Sequence, residues 1–304
     1  MSTFKQAQFS TGTAVRARTL IRPGWLSENV WPFETYGLDI GGSVLAVSEA
    51  GQGPALLLVH AGAWSFIWRD LITRLSADFR CICFDAPGNG QTPDAPGSAI
   101  SLEGASAAVA GVITTLGLTD VTVVAHDLGG PAAFAALGRM SWRVRALVAM
   151  NTFAWKPSVP ALRFMLTLMG SSFMRELDVL TGFIPRISAS GFGVGRHMDS
   201  SSRNAFLAGM GTRGRRAFHN YLRDARVCDA LYAQAMDALL GSLAERPLLT
   251  IFGEHNDPFG FQPRWKELFP NALQAVVAGG NHFPMCDAPD FVADTIRACH
   301  RGLA

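Results

Sequence analysis

Three residues stand where side chains could do covalent chemistry: Asp127, Asp257 and His282. Each lies just past the end of a short apolar run, in the order carboxylate, carboxylate, imidazole. Asp127 is the most telling of them. The run Val121 to Val124 reads as a strand buried on both faces, and it ends in Ala125-His126-Asp127-Leu128-Gly129, after which Gly, Ala, Phe and Leu recur with helical spacing. A small residue two before and a glycine two after the Asp place its carboxylate on a tight turn between strand end and helix start. The unpaired N–H groups and dipole of the helix start keep such a carboxylate ionised. An ionised carboxylate can attack an sp3 carbon without a general base, leaving an ester. His282, oriented and stabilised as a cation by Asp257, would then activate water against that ester.

The oxyanion of that second step needs N–H donors. The backbone of Leu128 and the loop His60-Ala61-Gly62-Ala63, Gly62 above all, are the expected sources. Glu254 is a second candidate for the acid that orients His282. Among side chains, Trp64 is the candidate donor to a leaving group, and Phe153, Trp155, Tyr221, Tyr232 and Phe283 are candidates for the substrate pocket.

These positions require a particular scaffold. Strand-like runs occur at Ser43 to Ser48, Ala55 to Val59, Cys81 to Phe84, Val121 to Val124, Ala146 to Met150, Leu248 to Phe252 and Leu273 to Val277. Helical patterns separate most of them: one carries Phe66, Ile67, Leu71 and Leu75, and another runs from Leu102 to Leu116 with Ser101 as its cap and Gly117 as its stop. Short apolar strands alternating with helices predict a mostly parallel α/β sheet, whose functional groups gather at the carboxyl ends of the strands. From about Phe153 to Ala244 the alternation breaks and only helical patterns appear, which predicts a helical insertion. Gly191-Phe192-Gly193-Val194-Gly195 within it follows no strand and reads as a linker, not a phosphate loop. The expected organisation is an N-terminal arm over 1–28, a core over 29–152 and 246–304, and a helical cap over 153–245.

Composition narrows the function classes. With 304 residues, 49% hydrophobic and 16% charged, the chain can bury a large core. A net charge of +2 gives no reason to expect nucleic acid or a membrane as partner. The local cluster Arg213, Arg215, Arg216, Arg223 and Arg226 is interleaved with Asp224 and Asp229 and reads as a solvated helix face. Cys81, Cys83, Cys228, Cys286 and Cys299 are odd in number and lack metal-type spacing, which predicts free thiols and a cytoplasmic location. No metal or cofactor is expected; the partner is a small molecule, and the chain is a monomer or homodimer.

From Trp31 on, the chain resembles the α/β-hydrolase superfamily, and within it the haloalkane dehalogenases and epoxide hydrolases. The likeness rests on Trp31-Pro32-Phe33-Glu34, His60-Ala61-Gly62, Trp68-Arg69, His126-Asp127-Leu128-Gly129-Gly130-Pro131, Asn151-Thr152-Phe153, Gly253 through Asp257-Pro258, and Gly280-Asn281-His282-Phe283. Asp at the elbow is the specific part, since most of the superfamily carries Ser there. The resemblance implies an α/β-hydrolase fold with an inserted cap, Asp127 as nucleophile, Asp257 and His282 completing a triad, and hydrolysis through an alkyl-enzyme ester on a small to medium apolar substrate. Three departures accompany it. Haloalkane dehalogenases usually place Trp after the nucleophile and Asn in the His-Gly loop to hold the halide, where this chain has Leu128 and Gly62. Epoxide hydrolases use cap tyrosines to protonate the opening oxygen, a role for which Tyr221 and Tyr232 are available. Gly253 and Asp257 are separated by one residue more than is common. Ester or lactone hydrolysis and non-catalytic ligand binding are further alternatives.

Overall fold

A computed structural model describes residues 17–94 and 99–302. Among the described residues, nine strands form one sheet in the order β1-β2-β3-β5-β4-β6-β7-β8-β9. They are β1 (Ala17–Arg18), β2 (Glu34–Ile40), β3 (Ser43–Ala50), β4 (Ala55–Val59), β5 (Arg80–Phe84), β6 (Val121–Asp127), β7 (Val144–Thr152), β8 (Leu248–Gly253) and β9 (Leu273–Val277). The first three strands and the β3–β5 pair are antiparallel, and every pairing from β5 through β4 to β9 is parallel. β2 was not expected from the apolar runs. Its Glu-Thr-Tyr-Gly-Leu-Asp-Ile mixes polar and apolar residues as an outer strand does, and Gly41-Gly42 turns it into β3.

The central strands feed two cores by simple alternation. Leu57, Val59, Ile82, Phe84, Val121, Val123, Ala125, Leu147 and Ala149 point into one core, which also takes α2 (Leu102–Thr115) and α3 (Gly129–Leu137). Leu56, Leu58, Cys81, Cys83, Val124, Val148 and Met150 point into the other, against α1 (Arg69–Leu75). The N-terminal arm lies outside the described residues as far as residue 16, but its later part is part of the fold. Trp31 is fully buried and stacks on Phe66 with ring centroids 5.8 Å apart.

Between β7 and β8 come six helices: α4 (Pro160–Met169), α5 (Ser172–Thr181), α6 (Phe183–Ser188), α7 (Ser200–Gly209), α8 (Thr212–Ala225) and α9 (Asp229–Leu240). α4 and α5 both pack on α8, whereas α9 packs along α3 and so belongs to the helical layer on the sheet. α10 (Phe261–Leu268), α11 (Pro284–Asp287) and α12 (Pro289–Arg301) complete the fold, with α12 against α1. Among the described residues no helix is long and apolar enough to cross a membrane, and all five cysteines are free and buried.

Candidate active site

β6 lies between β4 and β7, and Asp127 ends it with φ 50°. Few non-glycine residues take a left-handed backbone, and here it is held by close contact on both sides. A Cβ on Gly129 would fall 2.6 Å from the Val59 carbonyl oxygen of β4, and one on Gly130 would fall 2.0 Å from Thr152 Oγ1 of β7. The two glycines let the turn into α3 wedge between neighbouring strand ends. The Thr152 hydroxyl donates to the Asp127 carbonyl at 2.5 Å and fixes the turn from the β7 side.

His282 faces this carboxylate from the loop after β9, its Nε2 3.6 Å from Asp127 Oδ2, with both side chains about one-third exposed or less. Two residues hold its backbone. Asn151, itself at φ 37°, donates from Nδ2 to the carbonyls of Asn281 and His282, each at 2.9 Å, and accepts from Gly253 N at 3.0 Å through Oδ1. The buried His126 donates from Nε2 to the same His282 carbonyl at 2.7 Å, and its ring lies 4.8 Å from the His282 ring. Asn151 thus ties the ends of β7 and β8 to the histidine loop, a role the sequence reading missed. A polar residue closing a buried strand just before the cap was the available signal.

The partner of His282 Nδ1 is Asn256, whose Nδ2 lies 3.0 Å away. Asp257, expected there, instead accepts from the backbone N–H groups of Phe261 at 2.6 Å and Gln262 at 2.9 Å, and so caps α10. Asn256, one position before Asp257, is the residue that meets the imidazole, while the Asp257 carboxylate is held at the start of α10. Glu254, the other candidate acid, accepts from Gly279 N at 2.7 Å, away from the ring.

Charges follow from these surroundings. Burial pushes the Asp127 carboxyl up, but the facing His282 imidazole outweighs it and holds the group at about 2. Burial lowers the His60 imidazole to about 4, against the pull of Asp127, and it lowers His126 well below the usual range. Two neutral imidazoles therefore back the Asp127–His282 pair.

A cavity of about 180 Å³ opens over Asp127 and His282. Phe153, Leu162, Met165, Phe252, Pro258, Phe259 and Phe261 give it apolar walls, and Asn151, Asn256 and Asp257 add polar groups. Leu128 and Ala61 are buried beside the elbow, and Gly62, at φ 102°, lies under the Phe218 ring. The Leu128 N–H begins the turn into α3 and, as at any helix start, has no intrahelical acceptor.

Several expected pocket residues lie elsewhere. Trp64 stacks on Phe66 at 5.0 Å and donates to the Phe206 carbonyl at 3.3 Å, in the second core. Trp155 packs on Trp265 at 5.3 Å beneath the Arg264 guanidinium, and Phe283 packs against His126 at 5.1 Å. Both tyrosine hydroxyls are spent on carbonyls, Tyr221 on Pro87 at 2.8 Å and Tyr232 on Ala225 at 2.7 Å, and both are buried. Of the five pocket candidates only Phe153 lines the cavity.

A mostly parallel sheet with a strand–elbow–helix at its centre, a histidine loop after the last strand and helices inserted over the strand ends defines an α/β-hydrolase. A model of the alpha/beta hydrolase family matches residues 56–295, and the chain belongs to that family. It is 27% identical over 277 residues to haloalkane dehalogenase 2 of Mycobacterium bovis, covering 88% of this chain and 95% of the relative. It is also 27% identical over 288 residues to cis-3-alkyl-4-alkyloxetan-2-one decarboxylase of Shewanella oneidensis, covering 89% of each. Among solved structures, the epoxide hydrolase CorEH shares the fold with a TM-score of 0.74 at 19% identity, covering 90% of this chain and 100% of that one.

Proposed function

We propose that this hydrolase works through a covalent alkyl ester on Asp127, in the manner of a haloalkane dehalogenase, on a small apolar substrate. The observation that carries this reading is the ionised Asp127 carboxylate, on its strained turn, facing His282 Nε2 at 3.6 Å beneath apolar walls. An Asp127 oxygen attacks the sp3 carbon; the C–O bond forms and the C–X bond breaks, with X leaving as an anion with the bonding pair. His282 Nε2 then takes a proton from water, and the hydroxide adds to the ester carbonyl carbon. The resulting oxyanion is met by the Leu128 N–H and a donor in the Ala61-Gly62 loop. Collapse expels the alkoxide, which takes the proton back from His282; Asp127 is left as the carboxylic acid and loses its proton to solvent, which regenerates the carboxylate.

The cavity sets the substrate's scale. Its volume of about 180 Å³ is close to that of an apolar cavity that holds benzene, about 150 Å³, so the reacting part has roughly six heavy atoms.

A second reading concerns the leaving group. Among the described residues, the cavity-lining side chains with N–H groups are Asn151, Asn256 and His282, and Asn151 gives both amide hydrogens to carbonyls. Among the described residues no Trp lines the cavity, and the hydroxyls of Tyr221 and Tyr232 are both engaged by carbonyls and not free to protonate an epoxide oxygen. These facts favour a leaving group that needs neither halide donors nor a proton. A strained lactone opened at its sp3 carbon releases a carboxylate, stable as an anion with a conjugate acid near pKa ~4. The name of the Shewanella relative specifies a four-membered lactone of this kind.

Intact-protein mass spectrometry of His282→Phe, incubated separately with haloalkanes, epoxides and oxetan-2-ones, tests both readings. A haloalkane adduct weighs the substrate less HX, and either ring adds its whole mass. An adduct that forms with one class and disappears in Asp127→Asn/His282→Phe supports the mechanism and selects the class. No adduct with any class, or one that survives the Asp127 substitution, would sink it.

A further inference from the structure

The first three helices after β7, of which α4 reaches the active-site cavity, carry large apolar side chains exposed to solvent. On α4, Phe164 is 69% exposed, with Met165 and Leu168 exposed on the same outer side. On α5, Phe173 (73%), Leu177 and Leu180 (85%) recur at i, i+4 and i+7 and make one stripe. Ile187 on α6 and Phe192 just beyond it are likewise apolar and exposed, 62% and 81%. Single exposed apolar residues are ordinary, but this many on consecutive elements mark a surface made to be covered.

The charges on the same stretch have one sign left over. Residues 157–195 hold Arg163, Arg175, Glu176, Asp178 and Arg186. Glu176 is taken up by Arg216, at 2.7 and 2.9 Å, and by Arg175 at 3.0 Å. Asp178 is buried against His219 Nε2 at 3.2 Å. Arg163 and Arg186 are exposed and have no carboxylate partner among the described residues. The chain's small net charge conceals this local excess.

We propose that this cap face docks on the surface of an anionic phospholipid bilayer. Large apolar side chains on short amphipathic helices enter the acyl boundary, while flanking arginines meet headgroup phosphates. A second copy of the chain fits the face less well. A two-fold contact uses the same patch twice and would bury both sets of uncompensated guanidinium groups together. The face is also continuous with the active-site cavity, since Met165 belongs to both and Leu162 stands on the same helix in the cavity wall. An apolar substrate dissolved in the lipid could then reach Asp127 past Met165 without crossing water, a step that rests on the cavity being the site of reaction.

Vesicle flotation tests the docking without any turnover, so its failure would leave the role of Asp127 standing. The full chain is floated with vesicles of phosphatidylcholine containing phosphatidylglycerol, and with phosphatidylcholine alone. The expected result is binding to the anionic vesicles, reduced about tenfold or more in F164S/F173S/L180S and in R163E/R186E, with the charge variant losing its preference for phosphatidylglycerol. The substituted residues are exposed, so unchanged thermal unfolding is expected; should the apolar variant unfold, the arginine variant alone decides. Absence of wild-type flotation, or equal flotation of the folded variants, overturns the proposal. So does a lipid-free dimer that F164S/F173S/L180S converts to monomer, which would assign the face to a second copy.

Discussion

Asn256 Nδ2 lies 3.0 Å from His282 Nδ1, so an uncharged amide stands where a carboxylate would stabilise an imidazolium. As placed, the amide donates to Nδ1 and leaves the ring proton on Nε2, towards Asp127. Turned over, it accepts from Nδ1–H through Oδ1 and frees the Nε2 lone pair for water. Asn256 can therefore orient either tautomer, but it offers no negative charge to the cation formed as water is deprotonated. Asn256→Asp is expected to speed hydrolysis of the Asp127 ester about tenfold or more, and Asn256→Ala to slow it, with alkylation little changed in both. Single-turnover kinetics resolve the two steps. Equal hydrolysis rates in wild type and Asn256→Asp would show that Asn256 does not partner the base.

Asp257 makes the opposite prediction. It caps α10 through two backbone N–H groups. Asp257→Ala should cost about 1–2 kcal/mol of stability, seen as a lower Tm, while ester hydrolysis stays within a few-fold of wild type. A collapse of hydrolysis at unchanged Tm would restore Asp257 to the triad.

The nucleophile's ionisation depends on its neighbour. With His282 present the Asp127 carboxyl sits at about 2, so alkylation by the wild type should be flat with pH down to about 4 and fall only as pH approaches 2. In His282→Phe the opposing effect of burial is left in place, and the alkylation rate should fall at a higher pH than in the wild type. The pH dependence of initial adduct formation, followed by mass spectrometry in both proteins, measures the displacement. Superimposable profiles would mean that His282 does not govern this carboxylate.

The placement of Asp127 at a strand end and of His282 in the loop after β9 was legible in the sequence, because a largely apolar run precedes each and glycines mark both turns. The helical insertion was equally plain from the loss of strand runs after Thr152. What failed to read through were contacts set by one-residue offsets and by distant elements. Asn256 and Asp257 differ by a single position, and only the folded loop decides which one meets the ring. Tyr221 and Tyr232 lie on helices with the right chemistry, but carbonyls of Pro87 and Ala225 claim their hydroxyls, and Trp64 packs against Trp31. β2 was missed because an outer strand carries polar residues that dilute its pattern.

The buried imidazole of His60 makes the fold acid-sensitive. Its value is about 4 in the folded chain against about 6.5 unfolded, so below pH 6.5 the unfolded chain binds a proton that the folded chain refuses. Stability is therefore lost as pH falls from 6.5 towards 4, by about 3 kcal/mol from this residue, and His126 acts in the same direction. Urea denaturation across this range should show the slope, and His60→Leu should flatten part of it. An unchanged slope in the variant would place the acid sensitivity elsewhere.

Asn151 is the residue whose substitution should separate positioning from packing. Its side chain satisfies Gly253 N and two carbonyls of the histidine loop, and its φ of 37° suits glycine better than any other replacement. Asn151→Gly removes three hydrogen bonds without backbone strain, which should cost about 3 kcal/mol and lower kcat as His282 drifts from Asp127. Asn151→Asp keeps the shape and the bond from Gly253 N, yet turns a carboxylate oxygen towards the carbonyls of Asn281 and His282, where two donors stood. Repulsion at that point should make the near-isosteric Asp variant slower than the Gly variant, with the loss in kcat for ester hydrolysis larger than any change in KM. If Asn151 merely filled space, the order would reverse, because Asp preserves the volume that Gly gives up.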